Sequence, residues 1–180
     1  NYQGKSDLFT VEYDTDGETL NIVYADATKG WIPLNDDDVT DVPVAPPTQK
    51  GIFAYGNSGS YVSISNLVNS SGVVASDTSG VGTARRGLSA ARYGVGLAIF
   101  GYGYSTGMSS LTNLVNSSGV ISSDVTGVGT ARVGVAAASY GVGLAIFGYG
   151  ESSGGGIGSL TNLVSNVGVV STDVSGVGQI

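Results

Sequence analysis

An all-β fold is expected for this chain on three observations: a segment copied at a fixed interval, a glycine content far above the usual, and few charges. Ile52-Phe53-Ala54-Tyr55-Gly56 returns as Ile99-Phe100-Gly101-Tyr102-Gly103 and again as Ile146-Phe147-Gly148-Tyr149-Gly150, at a spacing of 47 residues each time. A fixed period of this size marks an array of one supersecondary unit. Glycine supplies 30 of the 180 residues, well above the usual roughly 7%, while charged residues make up only 12%. Ser, Thr, Val and Ala are abundant and helix formers are scarce, which suits short strands joined by tight turns. The glycines keep no three-residue interval, so collagen is excluded.

Charge divides the chain near residue 50. Residues 1–50 hold ten acids against three lysines, a balance of −7, and residues 51–180 hold four acids against four arginines. Neither half has the basic face that phosphate-backbone binding needs, so nucleic acid is not an expected partner. With no cysteine and no histidine, thiolate metal sites are ruled out and the commonest general base is missing. No cofactor or metal site is expected. No apolar run approaches the roughly 18 residues of a membrane span, so no membrane insertion is expected. The chain starts at Asn1 and stops at Ile180 inside a repeat, which suggests a portion of something longer.

Residues 1–34 read as a small β-meander that anchors or oligomerises. Leu8–Tyr13 and Leu20–Tyr24 are strand-like, Asp16-Gly17 is a hairpin signal, and Trp31–Leu34 makes a short third strand. Residues 35–50 combine Asp36-Asp37-Asp38 with Pro43, Pro46 and Pro47 and read as a semi-rigid acidic linker. Asp14–Glu18 superficially suggests a calcium loop, and the three aspartates could hold a divalent cation. A hairpin turn and a solvated linker are the simpler readings.

Residues 51–180 form the array, divided as 51–97, 98–144 and 145–180. Asn66–Val73 returns as Asn113–Val120 and Asn162–Val169, the last interval two residues longer, with the extra residues near Gly154-Gly155-Gly156 on a surface loop. Four strand-like pieces fall in the central unit, at 86–93, 97–103, 110–116 and 119–125. The first unit lacks the first of these. Four strands in this length make a blade of a β-propeller.

The order Thr83-Ala84-Arg85, small residues, an apolar strand, Gly101-Tyr102-Gly103, a polar loop and Asn113-Leu114-Val115 resembles a kelch repeat. The resemblance covers residues 51–180. It matches Arg85 and Arg132 to the family's arginine, and Gly101/Gly103 and Gly148/Gly150 to its diglycine. Tyr102 and Tyr149 interrupt those glycines, and the tryptophan of the last strand is absent near Val125. The resemblance implies a propeller whose ring is completed by further repeats or by other chains. The front segment around Val23–Trp31, the Pro-rich linker and the Gly/Tyr repeats are together similar to phage fibre and appendage proteins.

Arg85, Arg132, Asp77, Asp124, Asp173, Tyr55, Tyr102 and Tyr149 recur in phase, so framework roles are expected: Asp capping a turn, Arg pairing with a neighbouring blade, Tyr packing between blades. Tyr61 and Tyr104, with the loop carrying Glu151, Ser152 and Ser153, are the expected exposed contacts for a surface or ligand. Asn69-Ser70-Ser71 and Asn116-Ser117-Ser118 fit both a glycosylation acceptor and ordinary turn chemistry.

The expected function is a non-enzymatic virion structural protein, a fibre or surface appendage that displays the array for host attachment. Its partners would be copies of itself (a trimer favoured), other virion proteins through residues 1–34, and a host-surface glycan. A purely structural capsid or tail decoration, or an adhesin on a bacterial cell surface, are the alternatives. An enzyme on a propeller scaffold is disfavoured, because three of the array's four acids lie in repeat register and glycoside hydrolysis commonly wants two opposed carboxylates.

Overall fold

A computed structural model describes residues 21–27, 30–33 and 51–176. The chain divides into two compact units, Asn1–Thr48 and Gln49–Ile180. In the first, β1 (Ile22–Asp26) and β2 (Gly30–Pro33) form an antiparallel hairpin in which Tyr24 opposes Trp31. Their rings meet edge to face at 5.4 Å. The expected strand at Leu8–Tyr13, the Asp14–Glu18 turn, the linker at 35–50 and residues 177–180 lie outside the described residues.

The second unit has strands and no helix among its described residues. β3 (Gly51–Asn57) pairs with β4 (Tyr61–Val68). β5 (Ser89–Tyr93), β6 (Leu97–Gly101) and β7 (Thr112–Val115) follow as one antiparallel sheet with β6 at the centre. After the short β8 (Arg132–Val133), the strands β9 (Ala136–Tyr140), β10 (Leu144–Gly148) and β12 (Thr161–Val164) repeat that sheet. β8 pairs with β11 (Glu151–Ser152). Among the described residues no sheet closes on itself.

The apolar run of β6 is explained by its neighbours. Successive side chains of a strand point to opposite faces, and here each face meets a different unit. Phe100 joins Tyr55, Val115 and Ile121 in one core. Ile99 joins Tyr102, Val135, Ala145, Phe147 and Val164 in the other. Each core therefore draws on two consecutive units. The close stacking is set by small residues: a Cβ built on Gly101 would lie 2.7 Å from the Phe147 ring. Main chains also touch between units, where Gly94 N–H donates to the Gly143 carbonyl and Gly134 N–H to that of Gly87.

The expected fourth strand at 119–125 is corrected to two isolated bridges, Val115 with Ile121 and Thr112 with Val125. Between them one main-chain bond remains, from Ser122 N–H to the Leu114 carbonyl, and side chains take the other positions. Asn113 Nδ2 donates to the Ser122 carbonyl, and Leu114 N–H donates to Ser122 Oγ. Ser and Asn commonly compete with a ladder in this way. The strand expected at 97–103 stops at Gly101, because Tyr102 takes φ 65°. The turns before the broken edge use Asn69 and Asn116, whose Oδ1 atoms accept the backbone N–H groups two and four residues on.

Candidate functional site

Two sets of residues recur or cluster, and they sit at different depths. The buried set begins with the connection Gly80–Arg85, which leaves the first unit and enters the second. Asp124 of the second unit accepts hydrogen bonds from Thr83 N–H and from Thr83 Oγ1 at 2.6 Å. A Cβ on Gly82, at φ 76°, would fall 2.4 Å from Asp124 Oδ1, so glycine is required for this approach. Arg85 is fully buried. It donates through Nε to the Tyr102 carbonyl at 2.9 Å and through Nη2 to Asn113 Oδ1 at 2.6 Å. Its guanidinium also lies 4.5 Å from the centre of the Tyr55 ring. One arginine thus stacks on the tyrosine of its own unit and hydrogen-bonds the tyrosine carbonyl and asparagine of the next.

The second connection repeats this geometry. Thr130 donates to Asp173, and Arg132 stacks 4.7 Å from the Tyr102 ring centre. Arg132 also donates to the Tyr149 and Leu160 carbonyls at 2.8 and 2.7 Å and to Asn162 Oδ1. Tyr55, Tyr102 and Tyr149 all hold positive φ, 64°, 65° and 61°, a region costing a bulky residue roughly 1–2 kcal/mol. At Tyr102 and Tyr149 the backbone turn offsets that cost by aiming the carbonyl at Arg85 and Arg132. The first unit differs: its Asp77 is exposed and receives only Asn66 Nδ2, at 2.7 Å, among the described residues. The residue 47 positions before Arg85 is Asp38, so no in-register arginine precedes Asp77.

Charge follows this packing. Burial works against ionisation of Asp124, but hydrogen bonds from Thr83 and Asn113 and the Arg85 charge outweigh it, holding the carboxyl below the ordinary range. Asp173 is lowered in the same way by Thr130, Asn162 and Arg132. A carboxylate with a lowered folded-state pKa contributes stability above its unfolded value and loses it as pH falls through the folded one. Melting temperature is therefore expected to fall as pH drops below about 4, the ordinary aspartate pKa. Thermal melts between pH 7 and 2 check this, and Asp124→Asn should flatten part of that slope.

The second set lies at the surface. Arg86 follows Arg85 in extended chain and so points outward, where it is exposed. Its Nε donates to Tyr61 Oη at 3.2 Å. Its guanidinium lies 5.8 and 5.4 Å from the Tyr61 and Tyr104 ring centres, and those rings meet edge to face at 6.2 Å. Tyr61 and Tyr104, expected as exposed contacts, are half-buried and pack against one another. Arg86 was missed in the sequence, although its failure to recur, with Val133 in its place, was visible there.

These residues occupy loop positions that differ between units. The bridged pairs are Asn57 with Tyr61, Tyr104 with Met108, and Glu151 with Ile157. Glu151 and Ser153 are exposed and Ser152 half-buried, in a turn closed by Gly155 N–H donating to the Ser152 carbonyl. The two extra residues of the third unit fall in this loop. The chain matches no known protein family, and no curated protein is significantly similar to it.

Proposed function

We propose that the protein is a virion structural component, a fibre or surface appendage whose kelch-like β-repeat array is displayed for attachment to a host surface. Residues 1–34 would contact other virion proteins, copies of the chain would associate (a trimer favoured), and the array would face outward from the virion. The observation that carries this reading is the contrast between units. The Thr-Ala-Arg, Tyr and Asp framework is held constant while the loop pairs 57/61, 104/108 and 151/157 change character. A scaffold fixed inside and varied at its loop tips is suited to recognition.

The blade assignment is supported by the antiparallel three-stranded meanders of the second and third units, by the face-to-face packing of successive units, and by the arginine at each connection. The Arg86, Tyr61 and Tyr104 cluster offers aromatic faces beside a cation, a chemistry that suits a sugar or an acidic polysaccharide. Linked weak sites would add avidity without new contacts. Of the four acids of the array, Asp124 and Asp173 are engaged by threonines in framework contacts, which supports a non-enzymatic reading.

The test is binding of the purified chain to polysaccharide from candidate host cells. The Tyr61→Ser/Tyr104→Ser double variant is expected to lose binding while retaining its β-sheet circular dichroism. Undiminished binding by that variant would remove the cluster from the reading, and absence of binding by the parent would favour a bracing role. Turnover of any glycan would overturn the non-enzymatic assignment.

A further inference from the structure

The repeat contact occurs twice and, among the described residues, leaves two complementary faces exposed. Tyr55 of the first unit receives the edge of Phe100 of the second at 5.5 Å and 67°. Tyr102 of the second receives Phe147 of the third at 5.2 Å and 65°. In register with Phe100 and Phe147 stands Phe53, which is 65% exposed, whereas Phe147 is fully buried. In register with Tyr55 and Tyr102 stands Tyr149, 40% exposed where Tyr102 is fully buried. The neighbours of these two residues repeat the pattern. Val74, in register with Ile121 and Val170, is exposed beside Phe53's face, and Tyr140 and Leu163, in register with Tyr93 and Leu114, are exposed on Tyr149's face.

We propose that a second copy of this chain covers these faces head to tail, with Phe53 of one copy against Tyr149 of the other as Phe100 sits against Tyr55. The occupant follows from the contact itself: the surface that already fits this face, twice, is the facing surface of another unit of the same repeat. Such a contact is heterologous, joining two different patches, so it builds a ring where the rotation closes and a filament where it does not. It rests on the reading that copies of the chain associate, and it adds which surfaces meet.

Cross-linking tests it, because the chain contains no cysteine. Within the chain, the carbonyl of Asn166 lies against Gly94, 2.9 Å from where a Cβ would stand. The in-register positions between copies are Ser70 and Gly141, both on exposed turns, with Val142 beside the latter 97% exposed. Ser70→Cys and Val142→Cys chains, purified separately and treated with a short bis-maleimide, are expected to give covalent dimer when mixed and none when treated alone. Adding Phe53→Ser to the Ser70→Cys chain is expected to abolish the product. Dimer from either chain alone without mixed product, or product insensitive to Phe53→Ser, would overturn the proposal. Sedimentation velocity of the parent separates the two levels. An oligomer without mixed cross-link overturns this contact and leaves association standing, whereas a monomer overturns both.

Discussion

Replacing Arg132 with alanine is expected to lower the melting temperature by roughly 10–20 °C, the consequence of about 3–5 kcal/mol for breaking a buried charged network. The side chain is fully buried. Its removal strands the Tyr149 carbonyl and Asn162 Oδ1 and takes from the Leu160 carbonyl one of its two donors, leaving Tyr149 N–H. Each buried group left without a partner costs about 1–3 kcal/mol, so the loss exceeds what the deleted hydrogen bonds alone would suggest. The stacking on the Tyr102 ring goes as well. Lysine should rescue little, because an ammonium is a compact charge that lacks the planar fork needed to serve three acceptors and a ring face. Arg92→Ala is the control: Arg92 is exposed, and a change within about 0.5 kcal/mol is expected. Thermal melts followed by circular dichroism read all three.

Phe147→Ala is expected to cost about 3–5 kcal/mol, the usual penalty for emptying an aromatic core site. The ring is fully buried, packs on Tyr102 at 5.2 Å and fills the space over Gly101. Phe53→Ala, made at the equivalent position of the first unit, should change stability by no more than about 0.5 kcal/mol, measured on protein dilute enough to keep copies apart. The residue type and strand position are the same. The difference is whether a preceding unit covers the ring. Equal losses at both positions, in chemical denaturation, would mean that each unit is stabilised from within rather than by its neighbour, against what is expected of stacked repeats.

Much of this was legible in the sequence because the repeat states its own rules. The 47-residue period marked out the units, and the in-phase Arg85 and Arg132, Asp124 and Asp173 pointed to framework roles before any contact was seen. Other features depend on geometry that composition does not carry. A tyrosine at φ near 65° is unusual enough that the flanking glycines, rather than Tyr102 itself, looked like the bend. The broken fourth strand follows from Asn113 and Ser122 side chains entering the ladder, and strand propensity does not register this. The Arg86 cluster joins residues 25 positions apart, from two units, and no local pattern announces it. The hairpin of residues 22–33 was placed within two residues of its strands, since Trp31 and the apolar runs mark it locally.

The central claim is that successive units are joined by an arginine buried between them. An experimental high-resolution density map of residues 80–176 tests it most directly. The Arg85 and Arg132 guanidinium groups should lie over the Tyr55 and Tyr102 rings and reach Asn113 and Asn162 in the following units. Density for those side chains in solvent, or units whose faces do not meet, would contradict it.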